Sequence, residues 1–331
     1  MDIKDRKFVV IGGGGLIGSH TVDRLLDSGA GEVVIYDNFT RGRRDNLLSA
    51  LADPRARVLD LGGDICQPDL LTEGLAGADG VFHFAALWLL HCHEYPRSAF
   101  EVNIRGTFNV LEACVEQGIA RLVYSSSASV YGEAEEEPMT EDHPLNNKTF
   151  YGATKIAGEA MVTAYHHRYG LDAVGLRYMN VYGPRQDYRG AYVAVVMKML
   201  DAIHRGEPLV VHGDGSQAYD FIYVEDCAAA NLAAMSAGVT HGYYNVCTGR
   251  RTSILEIAEL LLELTGSPHG IRFESSDLIF VKNRVGDPTR ATEELGFTAS
   301  MDLRAGLLKL IEWRNADLEA VEVRRLAAEA S

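Results

Sequence analysis

The stretch that decides the fold is KFVVIGGGGLIGSHTVDRLLDSG, residues 7–29. It begins with a short apolar run, mostly β-branched, that predicts a buried strand. Glycines follow at once, and the amphipathic pattern after them predicts a helix that ends at Gly29. Gly12, Gly15 and Gly18 therefore form a G-x-x-G-x-x-G turn between a strand and a helix. Such a turn lets the backbone approach a ligand closely at the positive helix N-terminus.

A carboxylate stands at the end of the next predicted strand. The run EVVIYDN, residues 32–38, places Asp37 nineteen positions after the last glycine of the turn. In a dinucleotide-binding unit of this kind, the pyrophosphate lies at the helix N-terminus and the carboxylate accepts hydrogen bonds from the ribose hydroxyls. Because a carboxylate repels a 2′-phosphate, the pattern predicts NAD. The nearby Arg41, Arg43 and Arg44 argue for NADP, but the carboxylate keeps NAD as the favoured cofactor.

Strands and helices alternate along the first half of the chain. Further strands are expected within residues 56–65, 81–86, 120–132 and 171–183, and helices over 98–117 and 151–169. This alternation predicts a Rossmann-like α/β fold with a doubly wound parallel sheet. We expect residues 1–183 to form the NAD-binding domain and 184–331 to form mostly a smaller, mixed α/β substrate subdomain, with 221–247 returning to the sheet. The helices over 98–117 and 151–169 are apolar on more than one face, which favours burial against a second subunit or, equally, under a loop.

Composition excludes several classes of protein. The chain has 331 residues and carries 31 Lys plus Arg against 46 Asp plus Glu, a net charge of −15. This acidic balance argues against nucleic acid as a partner. No apolar run approaches the roughly 20 residues of a membrane span, and the N-terminus lacks the layout of a signal peptide. Five scattered cysteines read as reduced thiols, so we expect a cytoplasmic protein without membrane contact.

A phenol and an ammonium stand one helical turn apart in TFYGATK, residues 149–155. In a helix, Tyr151 and Lys155 share one face. A free phenol is a weak base because its pKa is near 10, but an adjacent ammonium stabilises the phenolate. Tyr151 could then take a proton from an alcohol as a hydride leaves the carbon beneath it. Downstream of a dinucleotide-binding turn, the pair predicts oxidation and reduction of a hydroxyl-bearing substrate.

A series of motifs carries a family resemblance along nearly the whole chain. In order, they are GGGGLIGSH, YDN, GDI, HFAA, SSSASVYGE, YGATK, RYMNVYGPR and GDGSQAYDFIYVED. They resemble the extended short-chain dehydrogenases/reductases, specifically the NAD-dependent nucleotide-sugar epimerases and dehydratases, with UDP-hexose 4-epimerases as the nearest subgroup. The resemblance implies NAD as cofactor, a nucleotide sugar as substrate, and a homodimer formed through the helices near residues 98–117 and 151–169.

The resemblance also implies a set of site residues. Ser127 would hydrogen-bond the sugar O4 beside Tyr151, and Lys155 would bind the nicotinamide ribose and tune the tyrosine. The implied cofactor contacts are Gly12, Gly15, Leu16, Ile17, Gly18, Asp37, Asn38, Asp64, Ile65, Phe84, Ala85, Ala86, Asn103, Tyr151, Lys155 and Tyr178. The implied substrate contacts are Ser127, Asn180, Tyr192, Tyr219, Arg284 and Ala291, among which Arg284 would grip the diphosphate.

Positions after the catalytic serine separate the reactions of this family. Dehydratases of the family carry an Asp–Glu pair there and UDP-glucuronate decarboxylases a glutamate, whereas this chain has Ala128 and Ser129. The resemblance therefore implies 4-epimerisation. Asn180 leans against a glucuronate, Ala291 implies room for an N-acetyl group, and Tyr219 replaces a common phosphate-binding arginine. A UDP-glucuronate 4-epimerase or decarboxylase, a 4,6-dehydratase, a 4-reductase and a non-catalytic NAD sensor remain as alternatives.

One further cluster has metal-ligand chemistry. His91, Cys92 and His93 lie in LWLLHCHEYP, residues 87–96. Adjacent residues of a strand point to opposite faces, and no second Cys/His cluster stands at a matching spacing. We therefore expect no metal site, and interpret this segment as loop packing or a sugar contact. The acidic run at 133–138 is likewise interpreted as a solvated loop.

Overall fold

The computed structural model of the chain describes residues 1–59, 62–188, 194–275 and 281–329. Its strands are β1 (Lys7–Ile11), β2 (Glu32–Tyr36), β3 (Ala56–Val58), β4 (Gly80–His83), β5 (Arg121–Ser127), β6 (Asp172–Tyr178), β7 (Asn180–Tyr182), β8 (Leu209–His212), β9 (Ala218–Tyr219), β10 (Phe221–Tyr223), β11 (His241–Val246), β12 (Thr252–Ser253), β13 (Ile271–Glu274) and β14 (Asn283–Arg284). Its α-helices are α1 (Leu16–Asp27), α2 (Pro68–Leu75), α3 (Leu89–Glu94), α4 (Pro96–Ala99), α5 (Thr107–Glu116), α6 (Phe150–Tyr169), α7 (Val195–Arg205), α8 (Val224–Ser236), α9 (Ile254–Thr265), α10 (Thr289–Leu295) and α11 (Leu303–Glu329).

Seven of the described strands form one sheet, in the order β11–β6–β5–β4–β1–β2–β3. Every neighbouring pair in it is parallel. The strand order reverses at β1, with β2 and β3 on one side of it and β4 to β6 on the other. Ligands of doubly wound sheets bind outside the carboxyl ends of the strands at such a reversal. The Rossmann-like fold predicted from the sequence is confirmed. A ligand site is expected at the carboxyl ends of β1 and β4.

Apolar side chains on both faces hold this sheet between two helical layers. Side chains of β1 alternate between the faces, so Phe8 and Val10 pack into one cluster with Val22 of α1. Val9 and Ile11 pack into the other cluster, which includes side chains of α2, α5 and α6. Burial on both faces explains why the strands are continuous apolar runs, without the polar alternation of a half-exposed strand.

The second half of the chain divides its elements between the large sheet and a smaller body. The helix α8 packs on α1, and β11 pairs with β6 at the edge of the large sheet. Small sheets formed by β8 with β13, and by β12, β9 and β14, lie apart from it. They share an apolar cluster with α7, α9 and α11. No helix among the described residues is both long and apolar enough to cross a bilayer.

The helix expected over residues 98–117 is interrupted. After α4 the chain winds as a π-helix, Phe100–Gly106, before α5 continues as an α-helix. The π-helix places the Thr107 hydroxyl on the Asn103 carbonyl oxygen, at 2.7 Å. Wide turns of this kind are frequent at functional sites. Here the turn carries Asn103, one of the residues expected near the cofactor.

Candidate active site

The glycine turn forms a close-packed backbone cradle at the start of α1. Gly12 has φ +81°, and a Cβ there would lie 2.7 Å from the Ala85 nitrogen. A Cβ at Gly18 would overlap the Gly12 carbonyl oxygen. Gly15 caps α1 without a side chain, so no capping group occupies the helix N-terminus. The first backbone N–H groups of α1 can therefore receive an anion such as a pyrophosphate.

A cleft of about 430 Å³ opens above this cradle. Residues of the glycine turn, the ends of β2 and β4 and the start of α6 line it together. The expected cofactor residues in its lining are Gly12, Gly15, Leu16, Ile17, Gly18, Asp37, Asn38, Asp64, Ile65, Phe84, Ala85, Ala86, Tyr151 and Lys155. The fold therefore gathers residues that lie up to 143 positions apart in the sequence into one elongated site.

The structure places the other two expected cofactor residues behind the cleft. Asn103 is buried, where its Oδ1 accepts from the Leu87 nitrogen at 2.7 Å and its Nδ2 donates to the Leu87 carbonyl oxygen at 3.0 Å. Its Nδ2 also donates to Thr154 Oγ1 at 3.1 Å, so Asn103 ties the loop after β4 to α6. Tyr178 lies in the core, where its phenol donates to Asn231 Oδ1. Its side chain does not reach the cleft.

Asp37 is held rigidly at the edge of the cleft. Its Oδ2 accepts from the Gly14 nitrogen at 2.8 Å and its Oδ1 accepts from the Phe39 nitrogen at 2.7 Å. Burial raises the pKa of this carboxyl, and the two N–H donors lower it. Of the arginines that could have received a 2′-phosphate, Arg43 pairs with Asp45 and Arg44 lies over the Phe39 ring.

Tyr151 and Lys155 line the cleft, and the Ser127 hydroxyl interacts with the Tyr151 phenol. The Thr149 hydroxyl accepts from the Gly152 nitrogen at 3.0 Å, which starts α6 and places Tyr151 in its first turn. Lys155 follows one turn later, and its Nζ lies 5.8 Å from the centroid of the Tyr151 ring. Ser127 ends β5, where its Oγ accepts from the Ser129 nitrogen. Two neighbouring elements, β5 and α6, thus bring Ser127 and Lys155 close to Tyr151.

Electrostatics of the phenol differ from the sequence-based expectation. Burial raises the pKa of Tyr151 to about 12, while interaction with the Ser127 hydroxyl and the charges of Arg41 and Arg284 lower it. Burial lowers the pKa of Lys155 to about 8, and its Nζ donates to the Ser125 carbonyl oxygen at 2.7 Å. We expected the Lys155 ammonium, with the nicotinium ring of the cofactor close by, to stabilise the phenolate. In this structure the charges of Arg41 and Arg284 also contribute, and no pattern in the sequence indicated this.

Arg284 is a half-buried cation whose charge acts on the Tyr151 phenol. It lies on β14 directly beside Tyr219 of β9. Within the described residues its guanidinium makes no hydrogen bond, and its Nε is buried and unpaired. Burial also lowers the pKa of Arg284, because it removes water from the charged guanidinium. Since a buried unpaired guanidinium nitrogen is costly, the position fits an anionic ligand. Tyr219 donates its own hydroxyl to the Val281 carbonyl oxygen at 2.7 Å.

The lining of the cleft, among the described residues, includes none of the expected substrate residues Ser127, Asn180, Tyr219, Arg284 and Ala291. Ala291 is fully buried in the apolar core, because α10 turns this side chain inward against β11 and α8. A side chain buried in the core does not open room for an N-acetyl group, so the position of Ala291 does not support that expectation. Asn180 begins β7 and donates its backbone N–H to the Asp220 carbonyl oxygen at 2.9 Å, and its side chain is not in the cleft lining. Tyr192 lies outside the described residues.

The His91–Cys92–His93 segment is the short helix α3, and strand geometry does not apply to it. The His91 ring packs between Trp88, at 5.1 Å, and Tyr95, at 5.0 Å, measured between ring centroids. Cys92 is buried, and its Sγ contacts the Leu87 carbonyl oxygen. Across the described parts of the chain, no three His, Cys, Asp or Glu side chains come together as metal ligands. Ring packing accounts for His91.

Comparisons with known proteins agree over nearly the whole chain. A family model described as the NAD dependent epimerase/dehydratase family matches residues 8–247. The UDP-glucose 4-epimerase of Mycolicibacterium smegmatis is 34% identical over 310 residues, 92% of this chain and 97% of that protein. The dTDP-glucose 4,6-dehydratase of an Actinoplanes species is 31% identical over 326 residues, 94% of this chain and 98% of that protein. The solved UDP-N-acetylglucosamine 4-epimerase of Methanobrevibacter ruminantium, in complex with UDP-N-acetylmuramic acid, has a TM-score of 0.89 at 32% identity and covers 95% of this chain and 99% of its own.

Proposed function

The chain belongs to the NAD dependent epimerase/dehydratase family, and we propose that it is an NAD-dependent 4-epimerase of a nucleotide-diphosphate sugar, such as a UDP-hexose or its N-acetyl form. The observation that carries the proposal is the neighbourhood of Tyr151. The Ser127 hydroxyl interacts with Tyr151, which lines the cleft, and the two residues that follow Ser127 in the chain are Ala128 and Ser129. Neither can act as the acid or base that an elimination or a decarboxylation would need in this family.

The residues of the cleft suit a cofactor that carries a pyrophosphate and a ribose. The cradle at Gly12 and Gly18 admits no side chain, α1 points its N-terminus into the cleft, and Asp37 stands at its edge. When bound, NAD accepts a hydride from the sugar carbon and returns it. The chain's own residues move the proton: Tyr151 takes it from the C4 hydroxyl, held by Ser127, and gives it back after the 4-keto sugar has turned over. Arg41 and Arg284 stabilise the phenolate between the two steps.

Among the described residues, Arg284 is the best candidate to bind the diphosphate of the substrate. The Nε of Arg284 is buried and unpaired among the described residues, and the guanidinium is close enough to Tyr151 to lower the pKa of the phenol. A diphosphate bound there would bring the sugar to the phenol. Its neighbour Tyr219 carries no charge and uses its hydroxyl on Val281. We therefore propose that Arg284 is the principal cation of this half of the substrate site.

The reaction is tested by incubating the purified protein, without added cofactor, with UDP-glucose, UDP-galactose, their N-acetyl forms and UDP-glucuronate. We expect NMR to show a mixture of C4 epimers from one of these pairs, and absorbance to show no net NADH. A matched reaction with the Tyr151→Phe variant should stay near background. A 4-keto-6-deoxy product would show a dehydratase, and a pentose would show a decarboxylase. Reaction only with added NADH and an already oxidised sugar would show a reductase.

We also propose that two copies associate through the helical face that contains the π-helix, α5 and α6. Phe100, Phe108 and Tyr169 leave 49%, 43% and 46% of their surface exposed on this face. Phe108→Glu is expected to convert a dimer to a monomer in light scattering, whereas Phe273→Glu, on the exposed strand β13, should not. Equal masses for both variants would exclude this face.

The free cysteines accord with the reducing cytoplasm expected from the sequence.

A further inference from the structure

The side chain of Arg41 joins three loops that line the cleft. Arg41, in the loop after β2, places its guanidinium carbon 3.9 Å from the centre of the Trp88 ring, in the loop after β4. Its Nε lies 3.8 Å from Asp187 Oδ2, in the segment that follows β7. All three residues line the cleft. Loops from three distant parts of the chain therefore meet at a single guanidinium.

Both ends of this contact rest on fixed backbone. Next to Arg41, the Arg43 nitrogen and Asn46 Nδ2 each donate to the Gly14 carbonyl oxygen at 2.9 Å. Gly42 packs so closely that a Cβ there would lie 2.8 Å from Asp37 Oδ2. The loop that carries Arg41 is therefore bonded directly to the glycine turn. Next to Trp88, the backbone of Leu87 is held by the buried Asn103 amide.

The guanidinium of Arg41 retains donors for an anion. In the part of the chain that the structure describes, it makes no hydrogen bond, and its separation from Asp187 is longer than a hydrogen bond. The Trp88 ring stacks on one face of the Arg41 guanidinium, while the N–H groups of the guanidinium point outward in its plane. A planar fork of donors at the rim of a pyrophosphate cradle is suited to phosphate oxygens.

We propose that Arg41 and Trp88 form a clasp across the cleft that retains the cofactor between turnovers through its pyrophosphate. Trp88 supports the flat guanidinium, Asp187 orients it, and Arg41 supplies the charge. An enzyme that returns the hydride in each cycle has no need to exchange its cofactor, so slow release costs it nothing. The clasp rests on NAD binding by the family and not on the sugar that is epimerised.

Retention of the cofactor is measured directly. The holoprotein is diluted and gel-filtered at intervals, and the NAD that remains bound is released by acid and quantified. For Arg41→Ala we expect release at least about tenfold faster than from wild type. The matched control is Arg44→Ala, which removes the same charge from the same loop, where the guanidinium lies 4.7 Å above the Phe39 ring and outside the cleft lining. Its release rate should equal that of wild type.

A second variant tests the aromatic half of the clasp. Trp88 and Trp313 are the two tryptophans of the chain. In wild type, bound NADH should quench tryptophan emission strongly by energy transfer from Trp88. Trp88→Phe should lose most of this quenching and release NAD less than tenfold faster, whereas Trp88→Ala should release it as fast as Arg41→Ala. Circular dichroism and melting curves confirm that each variant is folded.

Three results would overturn the clasp. The first is release from Arg41→Ala at the wild-type rate. The second is equally fast release from Arg44→Ala, which would show that loss of any positive charge from this loop speeds the release of NAD. The third is unchanged NAD retention in Arg41→Ala with a raised KM for the nucleotide sugar, which would assign Arg41 to the substrate's diphosphate. The measurement of NAD release needs no turnover of a sugar, so failure of the clasp and failure of the proposed reaction are distinguishable.

Discussion

Replacement of Tyr151 by phenylalanine is expected to lower turnover by about 10²–10⁴-fold, the usual contribution of a positioned acid–base group. The Tyr151 phenol lines the cleft and interacts with the Ser127 hydroxyl, and phenylalanine keeps the ring while removing the proton acceptor. Since the buried ring still fills its place, the NAD content and the melting temperature should stay close to wild type. Turnover is measured by NMR with the nucleotide sugar identified in the substrate panel.

The matched control is Tyr169→Phe, the same chemical change on the same helix. Tyr169 ends α6 and leaves 46% of its surface exposed, far along the helix from the cleft. Its variant should turn over like wild type. If Tyr151→Phe keeps more than a tenth of the wild-type rate, another group takes the proton and the assignment of the base is wrong.

Substitution of Glu159 by glutamine is expected to lower the free energy of unfolding by about 3–5 kcal/mol, the cost of leaving a buried charge unpaired. Glu159 Oε2 accepts from Arg177 Nη2 at 2.7 Å, and each side chain is only 6% exposed. Glu159 Oε1 also accepts from Ser126 Oγ at 2.6 Å and from Arg177 Nε at 2.8 Å. The pair therefore ties α6 to β5 and β6, directly beside the strand end that carries Ser127.

Urea denaturation measures this loss, with an exposed pair as control. Glu263 and Arg304 also form an ion pair at 2.6 Å, but their side chains are 62% and 52% exposed. Glu263→Gln should change the free energy of unfolding by less than about 1 kcal/mol. A double replacement of Glu159 and Arg177 by Leu and Met should be less harmful than Glu159→Gln, because no charge then remains buried. A loss below about 1 kcal/mol for Glu159→Gln would contradict the argument.

Patterns within a few residues were enough to predict the fold and the centre of the site. The apolar runs before Gly12 and before Asp37 could only form buried strands, and the glycines between strand and helix left the backbone open to a ligand. Tyr151 and Lys155 were paired from their spacing, because residues four apart in a helix share a face, and from their position downstream of the glycine turn. The inference of the fold was confirmed because a strand and a helix each impose a period that the sequence displays directly, whereas the roles of the site residues stay predictions.

Contacts between distant loops were decided by the tertiary structure. Arg41, Trp88 and Asp187 lie in three separate segments, and nothing in their local sequence indicates that they meet. The same holds for Tyr178 and Ala291, which packing places in the core although their motifs suggested the cleft. The physical reason is that local sequence determines the period and direction of each element. How the elements pack, and therefore which side chains meet across a cleft, depends on the whole chain at once.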